Sequence, residues 1–428
     1  MANLHKIVIV GGGAGGLELA TQLGNSLGKS KKADIILLDK NSTHIWKPKL
    51  HEIASGSMNA ASEETNYLAH AAQHHYQFIR AEFVGLNATE KTIQLHISHQ
   101  IKGEAIEKKS SLSYDTLILA VGSTSNDFGT TGVKEHCYFL DSRQQAEYFH
   151  DDFLNKYWDA QHDNHNDTLD IAIIGAGATG VELSAELSTA KETLFKYGLN
   201  KIDPQKVRIH LIEAADRILP ALPELIAERT HKQLQDLNIE VHTSQRVSAV
   251  DETYVHFSDG NQIAAEMVVW SAGIQAAKVI RELQGFEKDK MHRLKVYATL
   301  QTLSNPNIFA LGDCAHCQPR ADEPVLAPRA QVASQQAAFL ANAMKARIQG
   351  QALPMFHFSD KGSLVSLSHR KAVGELMGYV NVQGLLAKAM YVSLYRLHLA
   401  TIHGYTYTGA LTVRDVLTKN FGPKLKLH

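Results

Sequence analysis

Lys6–Gly16 reads KIVIVGGGAGG and Asp170–Gly180 reads DIAIIGAGATG, and these two stretches decide the fold. Each runs from consecutive apolar residues, the pattern of a strand buried on both faces, into the spacing Gly-x-Gly-x-x-Gly. The glycines are Gly11, Gly13 and Gly16 in the first and Gly175, Gly177 and Gly180 in the second. Missing side chains let the chain turn tightly and bring backbone N–H groups up to a pyrophosphate, which the positive end of a following helix also attracts. That helix is expected over 17–27 in the first copy and from Val181 past Leu194 in the second. A further strand closes each βαβ unit: Asp34–Leu38 (DIILL) before Asp39, and Val207–Ile212 (VRIHLI) before Glu213.

An acid at that strand end holds a ribose diol. Asp39 lies 23 residues past Gly16, a normal interval, whereas Glu213 lies 33 past Gly180, which implies an insertion that Asn200–Gln205 (NKIDPQ) can supply. A carboxylate on the 2′-hydroxyl repels a 2′-phosphate, so Glu213 favours NADH over NADPH, and the nearby Arg217 reads as an ordinary surface charge. The echo continues in Thr116–Gly122 (TLILAVG) and Met267–Gly273 (MVVWSAG), each an apolar strand ending in a small residue and glycine. The fold class is therefore α/β, with two Rossmann-like dinucleotide-binding domains in one chain. Asp159–Thr168 (DAQHDNHNDT), polar and rich in turn formers, reads as the hinge between them. Short strands are expected over 356–382, after a helix from Ala330 to about Ala346.

At about 150 residues per domain, 428 residues suggest two to three domains. Lys and Arg number 43 against 44 Asp and Glu, so no global positive field draws the chain onto nucleic acid. The balance hides an asymmetry, because residues 385–428 hold six Lys/Arg and one acid, +5 against −6 for the rest. Three cysteines are too few for a disulfide framework and suit a reducing compartment. MANLHK runs directly into a strand, so no signal or transit peptide is expected. No stretch offers about 18 uninterrupted apolar residues, so no membrane-spanning helix is expected either.

Together with the strand-Gly-Asp segment Phe309–Asp313 (FALGD), Trp46–Glu52 (WKPKLHE), Gly175–Glu186 (GAGATGVELSAE) and Ala327–Gln335 (APRAQVASQ), the chain resembles the bacterial type II NADH:quinone oxidoreductases over its whole length. The resemblance implies FAD on the first fingerprint, at Gly11, Gly13, Ala14, Gly15, Gly16 and Asp39, with Lys47, Val84, Gly122 and Asp313 completing its site. Asp313 would bind the ribityl chain. NADH would take Gly175, Gly177, Gly180, Glu213 and Gly273. The implied layout is residues 1–158 and 291–383 as the FAD-binding domain, 159–290 as an inserted NADH-binding domain, and 384–428 as a membrane-association region.

Glu182, on the first turn of the second fingerprint helix, would by itself be only an acid at a positive helix end; the resemblance puts it beside the nicotinamide and the quinone pocket. Gln331 and Gln335 fall four apart on one helical face, with Ala333 leaving room for a flat ring. The resemblance assigns Gln331, then Gln335, to the quinone headgroup. Lys371 is the candidate basic partner near the flavin. Cys314-Ala-His-Cys317 has redox-disulfide spacing but follows Asp313 directly and reads as structural. No metal site is expected, since the 23 histidines show no HExxH or zinc-finger spacing.

Leu386, Met390, Leu394 and Leu397 recur at helical spacing with Tyr391 and Tyr395 alongside and Lys388 and Arg396 interrupting. A second run holds Val413, Val416, Leu417 and Phe421 among Arg414, Lys419, Lys424 and Lys426. Apolar stripes flanked by cations and tyrosines describe helices lying on an anionic membrane surface. The expected function is oxidation of NADH through FAD with electron transfer to a membrane quinone, without proton pumping, by a peripheral protein at the cytoplasmic face of the inner membrane. A homodimer is a permitted assembly. The alternatives are a sulfide:quinone oxidoreductase and an NADH-binding flavoprotein acting as a redox sensor or interaction module. Removal of 385–428 is expected to leave an NADH-reducible flavoprotein that no longer sediments with membranes.

Overall fold

The computed structural model describes residues 4–101, 104–162, 168–367, 371–376, 380–421 and 425–427. Its largest sheet has eight strands in the order Ala315–Cys317, Leu294–Val296, Gln301–Thr302, Asn305–Ala310, Thr116–Leu119, His5–Val10, Ala33–Asp39 and Gln77–Arg80. His5–Val10 lies parallel to both neighbours, pairing Ile7 with Ile35 and Val8 with Leu117. Ile7, Val8, Ile9 and Val10 are all buried, which explains why that strand is apolar at consecutive rather than alternate positions.

The chain leaves this sheet after Leu119 and returns to it at Leu294. Between these points it builds a four-stranded parallel sheet in the order Ile239–His242, Val207–Ile212, Leu169–Ile174 and Met267–Trp270. An antiparallel pair, Ser123–Ser125 against Ile274–Ala276, joins the two units. The Trp270 indole N–H donates to the Asn126 carbonyl at 2.8 Å beside it. In the region where short strands are expected, Ser363–Ser366, Ala372–Leu376 and Val380–Gln383 form a three-stranded antiparallel sheet, followed by helices Gly384–His403 and Tyr405–Phe421.

Two expectations change. Asp159–His162 is not part of a loop: helix Arg143–His162 runs through it, its inner face sealed by Phe149, Phe153 and Tyr157. Residues 163–167 lie outside the described residues. The Gly384–His403 helix buries its aromatic face, Tyr391, Tyr395 and His398 with Leu399 and Ile402, and turns Leu386 and Leu397 outward at 64% and 55% exposure. The tyrosines go inward because partners wait for them there: Tyr395 donates to Glu63 at 2.8 Å and stacks on Trp46. Lys424 and the side chains of Val416, Lys419 and Phe421 lie outside the described residues. No helix among the described residues is long and apolar enough to cross a membrane.

Candidate active site

The two glycine turns are built alike, atom for atom. Gly11 N–H donates to the Leu38 carbonyl and Gly175 N–H to the Ile212 carbonyl, both at 2.8 Å. Both residues adopt left-handed backbone, φ +102° and +101°, a region open to glycine at no steric cost. A Cβ on Gly16 would lie 1.9 Å from the Gly11 carbonyl, and one on Gly180 2.0 Å from that of Gly175, so no larger residue lets helix and turn approach. A Cβ on Gly13 or Gly177 would meet nothing within 4 Å; these positions face the open ground where a pyrophosphate must lie. Helices Ala14–Leu23 and Ala178–Lys196 start there, with Gly15 packed against Leu311 and Ala333.

The strand-end acids match as well. Asp39 accepts from Gly12 N–H at 2.7 Å and Glu213 from Ala176 N–H at 2.8 Å; their second oxygens accept from Asn41 and Ala215 N–H groups. Each carboxylate is thereby fixed beside its glycine turn, where a ribose diol falls. Burial pushes the Asp39 carboxyl up, and those N–H groups pull it back down. Arg217 donates to the Pro220 and Leu222 carbonyls of its own loop.

Asp313 follows strand Asn305–Ala310 at the mouth of the large sheet and accepts from the Ser123 hydroxyl at 2.8 Å. Lys47 donates to the Ser123 carbonyl at 2.9 Å and pairs with Asp141, so Lys47, Ser123 and Asp313 form one chain of contacts. Gly122 and Gly273 occupy equivalent left-handed corners, φ +71° and +68°. Val84 projects to solvent from the bulged strand Glu82–Asn87 and offers backbone groups only. These donors, acceptors and cleared spaces fit a dinucleotide at each sheet mouth.

Glu182 lies buried where four segments meet. Ser366 N–H donates to its Oε1 at 3.0 Å, His51 Nδ1 stands 3.5 Å from Oε2, and Tyr391 hydrogen-bonds its carboxyl. Burial pushes the Glu182 carboxyl up to about 8; the Glu52 carboxylate adds to this, while the Ser366 N–H, Tyr391 and Lys388 oppose it. Burial also holds the His51 imidazole down at about 4. At neutral pH the pair is an uncharged carboxylic acid beside an uncharged imidazole. Lys388 closes the cage, donating to the Ser366 hydroxyl at 2.6 Å with its ammonium 5.2 Å from the Tyr391 ring centre.

Gln331 and Gln335 both point at loop 359–362. Gln331 exchanges hydrogen bonds with Lys361 N–H and the Gly362 carbonyl, and Gln335 with both backbone groups of Ser359. The buried Gln336, overlooked in the sequence, accepts from Gly312 N–H at 2.7 Å and so fixes the residue before Asp313. Lys371 is exposed just before the middle strand of its sheet, Ala372–Leu376, and the cation beside Glu182 is Lys388. Cys314 and Cys317 are free and buried, and burial pushes both thiols up to about 12, so they remain neutral parts of the core. His51, Ser366, Lys388 and Tyr391 carried two signals between them: His51 falls inside the WKPKLHE segment, and Lys388 and Tyr391 share a helical face at i, i+3.

Comparison with known proteins identifies the class. The sequence profile described as pyridine nucleotide-disulphide oxidoreductase matches residues 5–337, and the chain belongs to that family. It is 38% identical, over 99% of its length and all of the relative's, to the type II NADH:quinone oxidoreductase of Haemophilus influenzae, and within the family it is a member of the type II NADH:quinone oxidoreductases. The enzyme of that name from Staphylococcus aureus is 29% identical over 87% of this chain and 90% of its own. The fold matches NDH2 of Plasmodium falciparum, solved with NADH, at TM-score 0.84 and 21% identity, covering 99% of this chain and 100% of that one.

Proposed function

We propose that the chain oxidises NADH at the mouth of its four-stranded sheet and, through FAD held at the mouth of the eight-stranded sheet, reduces a quinone. The observation that carries this is the pair of matched cradles, each with its own strand-end acid, in a chain 38% identical end to end to a type II NADH:quinone oxidoreductase. FAD, when bound, takes a hydride from NADH and gives up two electrons to quinone. Gly11, Gly13, Ala14, Gly15, Gly16 and Asp39 hold its adenosine and pyrophosphate, and Lys47, Gly122 and Asp313 its far end; Val84 adds a backbone contact. Gly175, Gly177, Gly180 and Gly273 hold NADH, with Glu213 excluding a 2′-phosphate. The corresponding domains are 1–158 with 291–383, and 159–290.

Quinol formation consumes two protons, and the chain keeps one ready. Ser366 N–H donates to Oε1 of Glu182, and Oε2 lies 3.5 Å from His51 Nδ1. A carboxylic acid titrating near neutrality is suited to general acid work. Gln331 and Gln335 set loop 359–362 beside the quinone headgroup, and Lys371 lies at the outer edge of that region. Neutral thiols at Cys314 and Cys317 speak against sulfide chemistry, which needs reactive thiolates.

A membrane quinone needs an enzyme that reaches the bilayer. Leu385, Leu386, Leu394 and Leu397 face solvent on one helix, and Tyr405, Val413 and Leu417 on the next. This apolar stripe seats the protein peripherally on the cytoplasmic face of the inner membrane. The basic excess contributes less than its count suggests, because Arg396 pairs with Asp415, and Arg414 with Asp415 and Glu63. The test is an anaerobic titration: flavin absorbance bleaches with NADH and returns with a short-chain quinone. A flavin that NADH does not bleach overturns the proposal.

A further inference from the structure

The sequence shows no zinc-type spacing, yet the four-stranded sheet brings together three ligand atoms that no linear motif records. Strands Val207–Ile212 and Ile239–His242 are parallel and place His210 directly opposite Glu240, with His242 two residues on. Residues two apart share a face of a strand, so His210, Glu240 and His242 project from the same side. His210 Nδ1 lies 3.3 Å from His242 Nε2 and 3.3 Å from Glu240 Oε2, and His242 Nε2 lies 3.9 Å from that oxygen.

Zinc sits about 2.0–2.1 Å from nitrogen and about 2.0–2.2 Å from oxygen ligands, so tetrahedral ligand atoms lie about 3.4 Å apart. The observed triangle is of that size. Its corner is also supported from behind. His210 is 5% exposed, and its other ring nitrogen, Nε2, has no hydrogen-bond partner; it faces Asp170 Oδ1 at 3.6 Å. A carboxylate on that side favours the tautomer protonated at Nε2, which turns the Nδ1 lone pair toward the triangle; a small shift of either group would bring the pair to the hydrogen-bond distance usual behind a metal-bound histidine. Asp170 keeps its charge in this role, since Arg208 pairs with it.

We propose that His210, Glu240 and His242 form a binding site for a divalent first-row transition ion, with zinc the best-fitting occupant. Two imidazoles and one carboxylate suit zinc over calcium or magnesium, which take all-oxygen shells. Glu240 and His242 are partly exposed, so the fourth position is open to water and the ion can enter from solvent. The site lies at the outer strand of the nucleotide domain, where the His242 carbonyl accepts the N–H of Glu213 at 2.8 Å. Ion binding is measured without NADH or quinone, so its outcome is independent of the proposed activity.

The experiment uses the untagged, FAD-loaded full chain after chelator treatment. Zn2+ affinity is measured by competition with a chromogenic chelator, and Co2+ is added as a spectroscopic probe. The wild type is expected to bind one equivalent and to show the visible d–d bands of four- or five-coordinate cobalt. Glu240→Gln and His242→Ala, both partly exposed, should weaken Zn2+ by at least about tenfold and abolish the bands. His357→Ala, at an exposed histidine elsewhere, should change neither. Melting temperatures of metal-free wild type and variants confirm that the fold is intact. A wild type that binds no ion, or variants that bind it as tightly as the wild type, overturns the assignment.

Discussion

Replacing Glu182 by Gln should make the protein more stable and slower at once. In the folded chain the carboxyl titrates at about 8, against 4.5 when exposed. A raised carboxyl binds its proton more tightly folded than unfolded, so its contribution is most favourable at low pH and is lost as pH rises from 4.5 through 8. Integrating between those values, keeping Glu182 rather than a neutral side chain costs about 3 kcal/mol at pH 7 but below about 1 kcal/mol at pH 5. Gln keeps the shape and an oxygen for Ser366 N–H, so Glu182→Gln should recover much of that difference. At about 2.1 cal/mol/K of unfolding entropy per residue, the gain appears as a Tm rise of about 3 °C at pH 7. Calorimetry from pH 5 to 9 is the assay, and the gap between the proteins should widen with pH. In stopped flow, NADH bleaching of the flavin should stay within a few-fold of wild type, while reoxidation by quinone slows by about 100-fold, the lower range for loss of a general acid. A Tm difference that is flat across this pH range would show that Glu182 is not held protonated, and unchanged reoxidation would remove it from proton delivery.

Glu213→Gln should raise KM for NADH and narrow the preference over NADPH, because a neutral amide no longer repels a 2′-phosphate; steady-state kinetics with both nucleotides decide. His398→Ala should cost about 3 kcal/mol in urea denaturation, since it removes the 2.7 Å partner of the buried Glu18; a loss under about 1 kcal/mol would show that this pair is not a clamp. Burial holds His44 at about 3 and His51, His70 and His403 at about 4, all below an ordinary histidine at 6.5. Their depressed values make stability full above pH 6.5 and lost as pH falls toward 4, with roughly three to four protons taken up on unfolding at pH 5; the pH slope of unfolding free energy measures them. Replacing Leu386 and Leu397 together by Glu should leave turnover with a short-chain quinone intact and abolish sedimentation with vesicles, and continued sedimentation would place the membrane contact elsewhere.

The parts of the fold that could be read from sequence are those fixed by sterics between near neighbours. Gly16 must be glycine because the Gly11 carbonyl occupies the place of its Cβ, and the six residues Gly11–Gly16 suffice to state that requirement. The strand-end acids follow because a βαβ unit returns at a nearly constant interval. The Glu182 cage was only partly visible, since Ser366 and Lys388 reach it through tertiary packing that no local spacing encodes. His210, Glu240 and His242 stayed hidden for the same reason: two strands, remote in sequence, supply one triangle. On the tail helix, periodicity distinguishes two faces but cannot say which one the protein covers. Leucine hydrophobicity favours burial, yet the tyrosine and histidine face won because it finds Glu18, Glu63, Trp46 and Glu182 already in place.

That outcome alters the truncation experiment suggested by the charge split. Removing 385–428 would take away Lys388 and Tyr391 from the Glu182 cage, Tyr395 from Trp46, and His398 from Glu18 and His44. His44 in turn contacts the carbonyl of Gly12 inside the first glycine turn, so the tail is tied through two imidazoles to the FAD cradle. A shortened chain that fails to bind membranes would also have lost these contacts around the redox site, so the loss would say nothing specific about lipid. On the proposed reading the two faces of one helix carry separate tasks: the aromatic face packs against the Glu182 cage and Trp46, while the exposed leucine face is the one offered to the bilayer. Only substitutions confined to the leucine face test the second task without disturbing the first. If the leucine face meets lipid, one helix diameter, about 10–12 Å with side chains, separates that lipid from the aromatic face of the same helix. A quinone headgroup at the membrane interface would then need no long excursion to reach the proton held on Glu182.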